Sequence, residues 1–273
     1  MIGEVWQELG DGIFRRRYDT PFDQNIGVVL GAEAAVLIDS RANPAYAREL
    51  RSELAALTSL PVGWLFNTHY HWDHTFGNQV FAEATIWGHD ECRRMLAEHG
   101  AEMVAGLLAD LTPPGQEALQ ELTITPPTRT FADRASIDIG NRMVEVAYFG
   151  RGHTNSDAVL HVDGVTFAGD LVEEGAPPSV GDSFPIAWVE TVGLLAAEAR
   201  PVVVPGHGDV VDVEHIVVTR FDLSWIARAA EDAWKRGIQV DEVDLAGAPY
   251  PEDVTRTAIA RAYSELESRS KLR

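Results

Sequence analysis

Short apolar runs alternate with longer amphipathic segments along the chain, and this alternation predicts a mixture of strands and helices. Residues 25–30 and 34–38 are apolar runs on either side of a short break, a pattern that predicts a hairpin. Residues 44–57 carry Ala, Leu, Glu and Arg at helical spacing. Residues 62–66 form a third apolar run, which predicts a buried strand that ends just before a histidine-rich segment.

The same alternation recurs over the rest of the chain. Further strand patterns occupy residues 84–87, 136–139, 143–148, 158–162, 165–168 and 201–204, and helical patterns occupy residues 89–122, 187–199, 212–236 and 252–269. Two rounds of strands and helices predict an α/β fold with two β-sheets face to face and helices outside, although a doubly wound sheet fits the pattern as well. We expect a single domain over residues 1–273, with a core at about 20–210 and a C-terminal helical extension at 212–273.

Charge and composition narrow the classes of partner. The 42 acidic and 22 basic residues give a formal net charge of -20, which repels nucleic acid and anionic membrane surfaces. One cysteine, Cys92, excludes an internal disulfide, and the sequence has neither a secretory signal pattern nor an apolar window of 18 residues. We therefore predict a cytoplasmic monomer or homodimer that acts on a small-molecule substrate, with no nucleic-acid or membrane partner.

The densest chemical signal follows the third apolar run. His69, His71, Asp73 and His74 place three imidazoles and a carboxylate within six positions. His69 and His71 are two residues apart, so they share a face of an extended segment, while Asp73 and His74 lie where the chain turns towards a helix. Imidazole and carboxylate are ligands that Zn²⁺ accepts. The segment therefore predicts a metal site.

The spacing of these residues resembles the HxHxDH signature of the metallo-β-lactamase superfamily. Three later motifs, at residues 152–154, 169–170 and 206–208, resemble the motifs that supply the remaining ligands of that family, and each follows an apolar strand-like run. The resemblance covers roughly residues 25–210 and implies a four-layer αββα sandwich of two mixed β-sheets with helices on both outer faces.

The resemblance also implies a site for two metal ions. The first ion would be held by His69, His71 and His153, the second by Asp73, His74 and His207, and Asp170 would bridge the two ions. Asp170 occupies the position where the best-known β-lactamases have cysteine, which makes the site similar to that of glyoxalase II and lactonases. We expect two Zn²⁺ ions, although iron and manganese also suit a shell of nitrogen and oxygen.

Such a site implies a hydrolase in which a hydroxide held by the metals attacks an ester, thioester, lactone or lactam. Asp73 would orient the attacking water and carry its proton, and Thr68, Thr154 or Asp157 would accept hydrogen bonds from ligand imidazoles. The alternative enzyme is a glyoxalase II-like mononuclear iron persulfide dioxygenase. A third hypothesis, nucleic-acid processing, is disfavoured by the negative net charge. The fourth hypothesis is a non-catalytic metal-binding protein.

Five residues are candidates for contact with the substrate, because they lie near the predicted ligands or in loops beyond strand ends. They are Tyr18, Phe22, Trp72, Asn155 and Glu173. Asn155 could donate a hydrogen bond to a developing oxyanion. Glu173, if it faces the site, would disfavour anionic substrates.

Overall fold

The computed structural model describes residues 5–19 and 23–271. Its strands are β1 (Gln7–Gly10), β2 (Ile13–Tyr18), β3 (Gln24–Leu30), β4 (Ala35–Ile38), β5 (Val62–Phe66), β6 (Thr85–His89), β7 (Arg129–Phe131), β8 (Arg134–Asp138), β9 (Met143–Tyr148), β10 (Ala158–Val162), β11 (Val165–Glu173) and β12 (Val202–His207). Its helices are α1 (Pro44–Leu57), α2 (Trp72–Thr75), α3 (Asp90–Asp110), α4 (Pro113–Ala118), α5 (Pro185–Glu198), α6 (Val213–Lys235) and α7 (Glu252–Lys271).

The strands form two mixed sheets that meet at one corner. Strands β7, β6, β5, β4 and β3 pair in that order, and β2 and β1 extend this half beyond β3. Strands β12, β11, β10, β9 and β8 form the other half. A single residue pair, His207 with Gln24, joins β12 to β3. Parallel pairing occurs in both halves, at β4–β5–β6–β7 and at β11–β12.

Side-chain packing arranges these sheets in layers. Val29, Ile38 and Phe66 of the first sheet pack with Leu160 and Phe167 of the second in one buried apolar cluster. On the outer face of the first sheet, α1 packs against the core, whereas α5, α6 and α7 cover the outer face of the second sheet. Burial of two sheet faces against each other and of two against helices gives helix–sheet–sheet–helix layers. The predicted four-layer α/β sandwich is thereby confirmed.

The amino-terminal strands are the main element that the hydrophobic pattern does not reveal. Strand β2 has three consecutive arginines, yet it pairs along its whole length with β3. The side chain of Arg15 is buried because its guanidinium donates to Asn25 Oδ1 and Gln7 Oε1. A buried arginine with local partners keeps a strand regular while it removes the apolar alternation that identifies strands in a sequence.

Strand ends place the predicted ligands at one edge of the sandwich. The histidine-rich segment begins directly after β5, His153 lies between β9 and β10, Asp170 lies within β11 and His207 ends β12. Strands β11 and β12 are parallel, so their carboxyl-terminal parts reach the same edge. The fold therefore brings together residues that are up to 138 positions apart in the sequence.

Among the described residues, none of the helices has the length and apolar character needed to cross a membrane.

Candidate metal centre

All seven predicted ligand side chains meet at this edge, in two groups. The first group is His69, His71, His153 and Asp170, and the second is Asp73, His74 and His207. Within each group, one donor atom per residue lies within 4.8 Å of each of the others. In the first group, His71 Nδ1 lies 2.8 Å from His153 Nε2. In the second, His74 Nε2 lies 3.3 Å from His207 Nε2.

Asp170 lies between the two groups. Its Oδ2 is 3.4 Å from His153 Nε2 of the first group and 3.4 Å from His207 Nε2 of the second. Its Oδ1 is 3.2 Å from His74 Nε2. The carboxylate thus has oxygens close to donor atoms of both groups, and the bridging role that the resemblance implies stays a prediction.

The second nitrogen of several imidazoles is held by another side chain, which fixes the nitrogen that faces the centre. Asp39, directly after β4, accepts from Thr68 N and Thr68 Oγ1 and contacts His74 Nδ1 at 2.8 Å. Thr68 Oγ1 in turn lies 3.0 Å from His69 Nδ1. These contacts direct Nε2 of both His69 and His74 to the metal groups. The role predicted for Thr68 fits this geometry, whereas Asp39 was not singled out in the sequence.

Asp182 is a second residue that the sequence analysis missed. Its Oδ2 accepts from the hydroxyl of Tyr70 at 2.5 Å and lies 3.1 Å from His71 Nε2. This contact leaves Nδ1 as the nitrogen of His71 that faces His153. Burial raises the pKa of the Asp182 carboxyl, but its hydrogen bonds with His71 and Tyr70 outweigh burial and hold the pKa below its usual value. Asp182 is therefore a carboxylate that orients His71.

The electrostatics of the second group favour bound positive charge, whereas burial dominates at His153 of the first group. Burial lowers the pKa of His207, but Asp170 and Asp73 outweigh burial and raise it to about 11. The same balance raises the pKa of His74 well above its usual value. Burial lowers the pKa of His153 to about 4. The carboxylates thus stabilise a net positive charge at the second group, which is the charge that a divalent cation supplies.

Two further observations test whether the residues present fit metal ions. Within the described part of the chain, His69 Nε2 and Asp170 Oδ1 are buried and have no hydrogen-bond partner. Buried polar atoms without partners are costly, and coordination to a cation would satisfy both. Gly206 packs so closely against Asp170 that a Cβ atom there would overlap Oδ1. The residues present therefore fit a pair of metal ions.

A cavity of about 460 Å³ opens onto the two groups. Of the five predicted substrate contacts, Trp72 and Glu173 line it. Asp23, Glu174 and Asp182 add three more carboxylates to its wall. The lining is thus strongly acidic apart from the imidazoles. Its volume lies in the range typical of small-molecule sites.

The other predicted substrate contacts lie elsewhere. The hydroxyl of Tyr18 donates to Glu53 Oε2, and its ring packs beneath the guanidinium of Arg41, so Tyr18 is buried outside the cavity lining. Asn155 Nδ2 donates to Glu91 Oε2, away from the metal groups. Phe22 lies outside the described residues. Thr154 and Asp157 bond to each other and stabilise a turn beside His153.

Comparison with known proteins agrees with this arrangement of donor residues. The family model described as the metallo-beta-lactamase superfamily matches residues 19–210, which contain all seven residues of the two groups. The chain belongs to the metallo-beta-lactamase superfamily. The resemblance that the histidine motifs suggested is thereby confirmed.

Several known proteins of this fold are similar to the chain. The acyl-coenzyme A thioesterase MBLAC2 of Gallus gallus is 26% identical over 246 residues, which cover 81% of this chain and 86% of that protein. A metallo-beta-lactamase from Pontibacter korlensis has a TM-score of 0.67 at 21% identity, covering 80% of this chain and 98% of its own. The sec-alkyl sulfatase PisA1 has a TM-score of 0.77 at 13% identity and covers 96% of this chain and 50% of its own. The two solved structures share the fold of this chain, and all three identities are too low to transfer a substrate.

Proposed function

We propose that this protein is a metal-dependent hydrolase that cleaves carbonyl substrates, with thioesters preferred, at a site for two Zn²⁺ ions. The observation that carries the proposal is the convergence of two complete donor groups on one carboxylate, Asp170, at the floor of an open cavity. We place thioesters first among carbonyl substrates because the acyl-coenzyme A thioesterase MBLAC2, which is 26% identical to this chain, acts on them.

The side chains would divide the work between binding and proton transfer. The two donor groups would hold two cations, and the chemistry these would supply is a water with its pKa lowered towards 7 and a Lewis acid for the substrate carbonyl. Asp73 would orient that water and accept its proton, because its Oδ2 lies 3.3 Å from His207 Nε2 and its side chain lines the cavity. The backbone oxygen of Asp73 accepts a hydrogen bond from the buried side chain of Gln24, which fixes the position of the carboxylate.

The completeness of the second group favours two metals over one. A mononuclear iron dioxygenase needs only one set of ligands, and the set of Asp73, His74 and His207 would then have no catalytic use. His74 instead contacts Asp39 and Asp170, His207 contacts Asp170, and Asp73 contacts both imidazoles. Selection for a second set of oriented donors is expected of a dinuclear enzyme, and iron or manganese would fit the same shell.

Metal analysis and a substrate panel test the proposal. The purified protein should contain two equivalents of zinc per chain by mass spectrometry of the metals, and it should hydrolyse thioesters faster than lactones, β-lactams or phosphodiesters. His71→Ala should lose most of the activity, whereas His99→Ala, a matched change at a partly exposed histidine whose imidazole lies 3.1 Å from Glu102 Oε2, should retain it. One equivalent of iron with oxygen-dependent turnover of a persulfide would refute the proposal in favour of the dioxygenase.

A further inference from the structure

A second cavity, of about 230 Å³, lies beside the metal cavity and has the opposite charge. Its wall contains three arginines, Arg151, Arg261 and Arg269, together with Phe184, Glu265 and two serines of α7. We call it the arginine pocket. Three guanidinium groups in one pocket are unexpected in a chain with a net charge of -20, because the electrostatic field of such a chain repels anions.

The arginine charges in this pocket are largely available to a ligand. Within the described part of the chain, the guanidinium of Arg151 has no hydrogen bond or ion pair; it stacks over Phe184, 4.6 Å from the ring centroid, and interacts electrostatically with the Glu265 carboxylate. The guanidinium of Arg261 donates from Nε and Nη2 to two backbone oxygens, which do not neutralise its charge. Its Nη1 has no hydrogen-bond partner among the described residues.

The one carboxylate of the pocket is committed to another role. Glu265 is buried, and its two oxygens accept hydrogen bonds from the backbone N–H groups of Ile186 and Ala187, in the first turn of α5. Burial raises the pKa of the Glu265 carboxyl, and these two N–H groups offset that effect only in part. Arg269 lies 3.6 Å from the same carboxylate and remains about half exposed. The pocket therefore keeps a surplus of positive charge.

We propose that the arginine pocket binds a phosphate group, either a phosphate monoester or a diphosphate. Guanidinium groups bind phosphate oxygens through paired N–H donors, and several arginines around one cavity are a typical phosphate site. The volume exceeds the roughly 30 Å³ of one water molecule severalfold, which leaves room for such a group. The hydroxyls of Ser264 and Ser268 already donate to backbone oxygens and offer acceptor lone pairs only, so the arginines carry the recognition.

The pocket is joined to the metal centre through three consecutive residues. Arg261 donates to the backbone oxygens of Asp182 and Ser183, and Phe184 forms the pocket wall. The side chain of Asp182 faces the other way, into the metal cavity, where it orients His71. Residues 182 and 184 are separated by about 7 Å of chain at most. A substrate could thus place an uncharged reactive part in the acidic metal cavity and its phosphate in the arginine pocket.

The first test is direct binding of inorganic phosphate to the zinc-loaded protein, measured by titration calorimetry at constant ionic strength. The double variant Arg151→Gln/Arg269→Gln removes two exposed charges of the pocket. Arg228→Gln/Arg236→Gln is the matched control, because it removes two exposed arginine charges from α6 and the residue after it. We expect saturable binding that is at least fivefold weaker in the pocket variant and within twofold of wild type in the control. Equal affinity in both variants, or no saturable binding to wild type, would overturn the proposal.

The second test asks whether the phosphate belongs to the substrate or is a free ion, and it rests on the proposed function. The two substrates are an acyl-coenzyme A and the acyl-pantetheine thioester of the same acyl group, which lacks phosphate. A substrate-borne phosphate predicts that the pocket variant raises KM at least fivefold for acyl-coenzyme A, at unchanged kcat, and leaves acyl-pantetheine unaffected. A free ion predicts instead that inorganic phosphate changes turnover of acyl-pantetheine by wild type and not by the pocket variant. Absence of thioester hydrolysis would refute the proposed function, while the calorimetry would still decide the pocket.

Discussion

Replacement of Asp182 by asparagine tests whether this residue orients a metal ligand. The change keeps the size of the side chain but removes the charge, and an amide oxygen is a weaker acceptor for Tyr70 and His71 than a carboxylate oxygen. Without that acceptor, the imidazole of His71 can rotate or adopt the other tautomer, so that Nδ1 no longer faces His153. We therefore expect Asp182→Asn to weaken metal binding without a change in the fold.

The expected loss of metal affinity in Asp182→Asn depends on how exposed the side chain of Asp182 is. Loss of a residue that orients a metal ligand typically costs 10–100-fold in metal affinity, or about 1.4–2.7 kcal/mol. The side chain of Asp182 is 45% exposed, so water can replace part of its hydrogen bonding, and we expect a loss near tenfold. Tyr70→Phe removes only the hydroxyl and leaves the contact between Asp182 and His71. It should cost less than threefold.

Competition with a chromophoric zinc chelator measures these affinities, and circular dichroism checks the fold. Asp163→Asn is the matched control, because Asp163 is an exposed hairpin residue with positive φ, a conformation that asparagine also tolerates. If Asp182→Asn binds zinc within twofold of wild type while His71→Ala loses at least a hundredfold, Asp182 does not orient His71 and the argument fails.

Three other residues give independent predictions. Gly206→Ala should displace Asp170, whose Oδ1 the new methyl group would overlap, and should lower the zinc content to one equivalent or less, as metal analysis would show. Glu265→Ala removes two hydrogen bonds to the first turn of α5 and should lower the free energy of unfolding in urea by about 1–3 kcal/mol; an unchanged midpoint would contradict this role. Burial lowers the pKa of His161 to about 4, so the folded state resists a proton that the unfolded state accepts below about 6.5. Stability should therefore fall from pH 6.5 to pH 4, and the fall should be smaller in His161→Gln.

The candidate metal ligands could be predicted because each of them lies close after an apolar run in the sequence. Residues 69–74 follow a buried strand, His153 lies between two strands, Asp170 lies within β11 and His207 ends β12. The chemistry of such residues is local: imidazole and carboxylate at short spacing bind metal whatever surrounds them. The predicted layers follow from the same pattern, because each apolar face needs a partner.

The residues that orient the ligands could not be predicted in this way. Asp39 and Asp182 act through contacts with residues 29 to 112 positions away, and neither belongs to a recognisable spacing. Asp39 offers one weak signal, an acidic residue directly after an apolar strand. Asn155 was predicted to contact the substrate because it lies close to His153 in the sequence. Its side chain instead donates a hydrogen bond to Glu91 on α3. Proximity in sequence therefore predicts ligands better than it predicts substrate contacts.

The residues of the two donor groups and the residues of the cavity wall belong to different kinds of element. The donor residues His69, His74, His153 and Asp170 are all buried. Asp170 lies within β11, and the other three lie in short segments that follow β5 and β9. The cavity wall, by contrast, is made largely by loops, including residues 174–182 between β11 and α5. Changes at the exposed residues 175–177 of that loop would alter the shape of the cavity wall at Ala176, whereas Ser179 and Asp182 of the same loop contact the imidazoles of His153 and His71. The same loop ends at residues 182–184, which separate the acidic cavity from the arginine pocket. The choice between neutral and phosphorylated substrates would thus depend on this loop and on α7, while the hydrolytic chemistry depends on the strands.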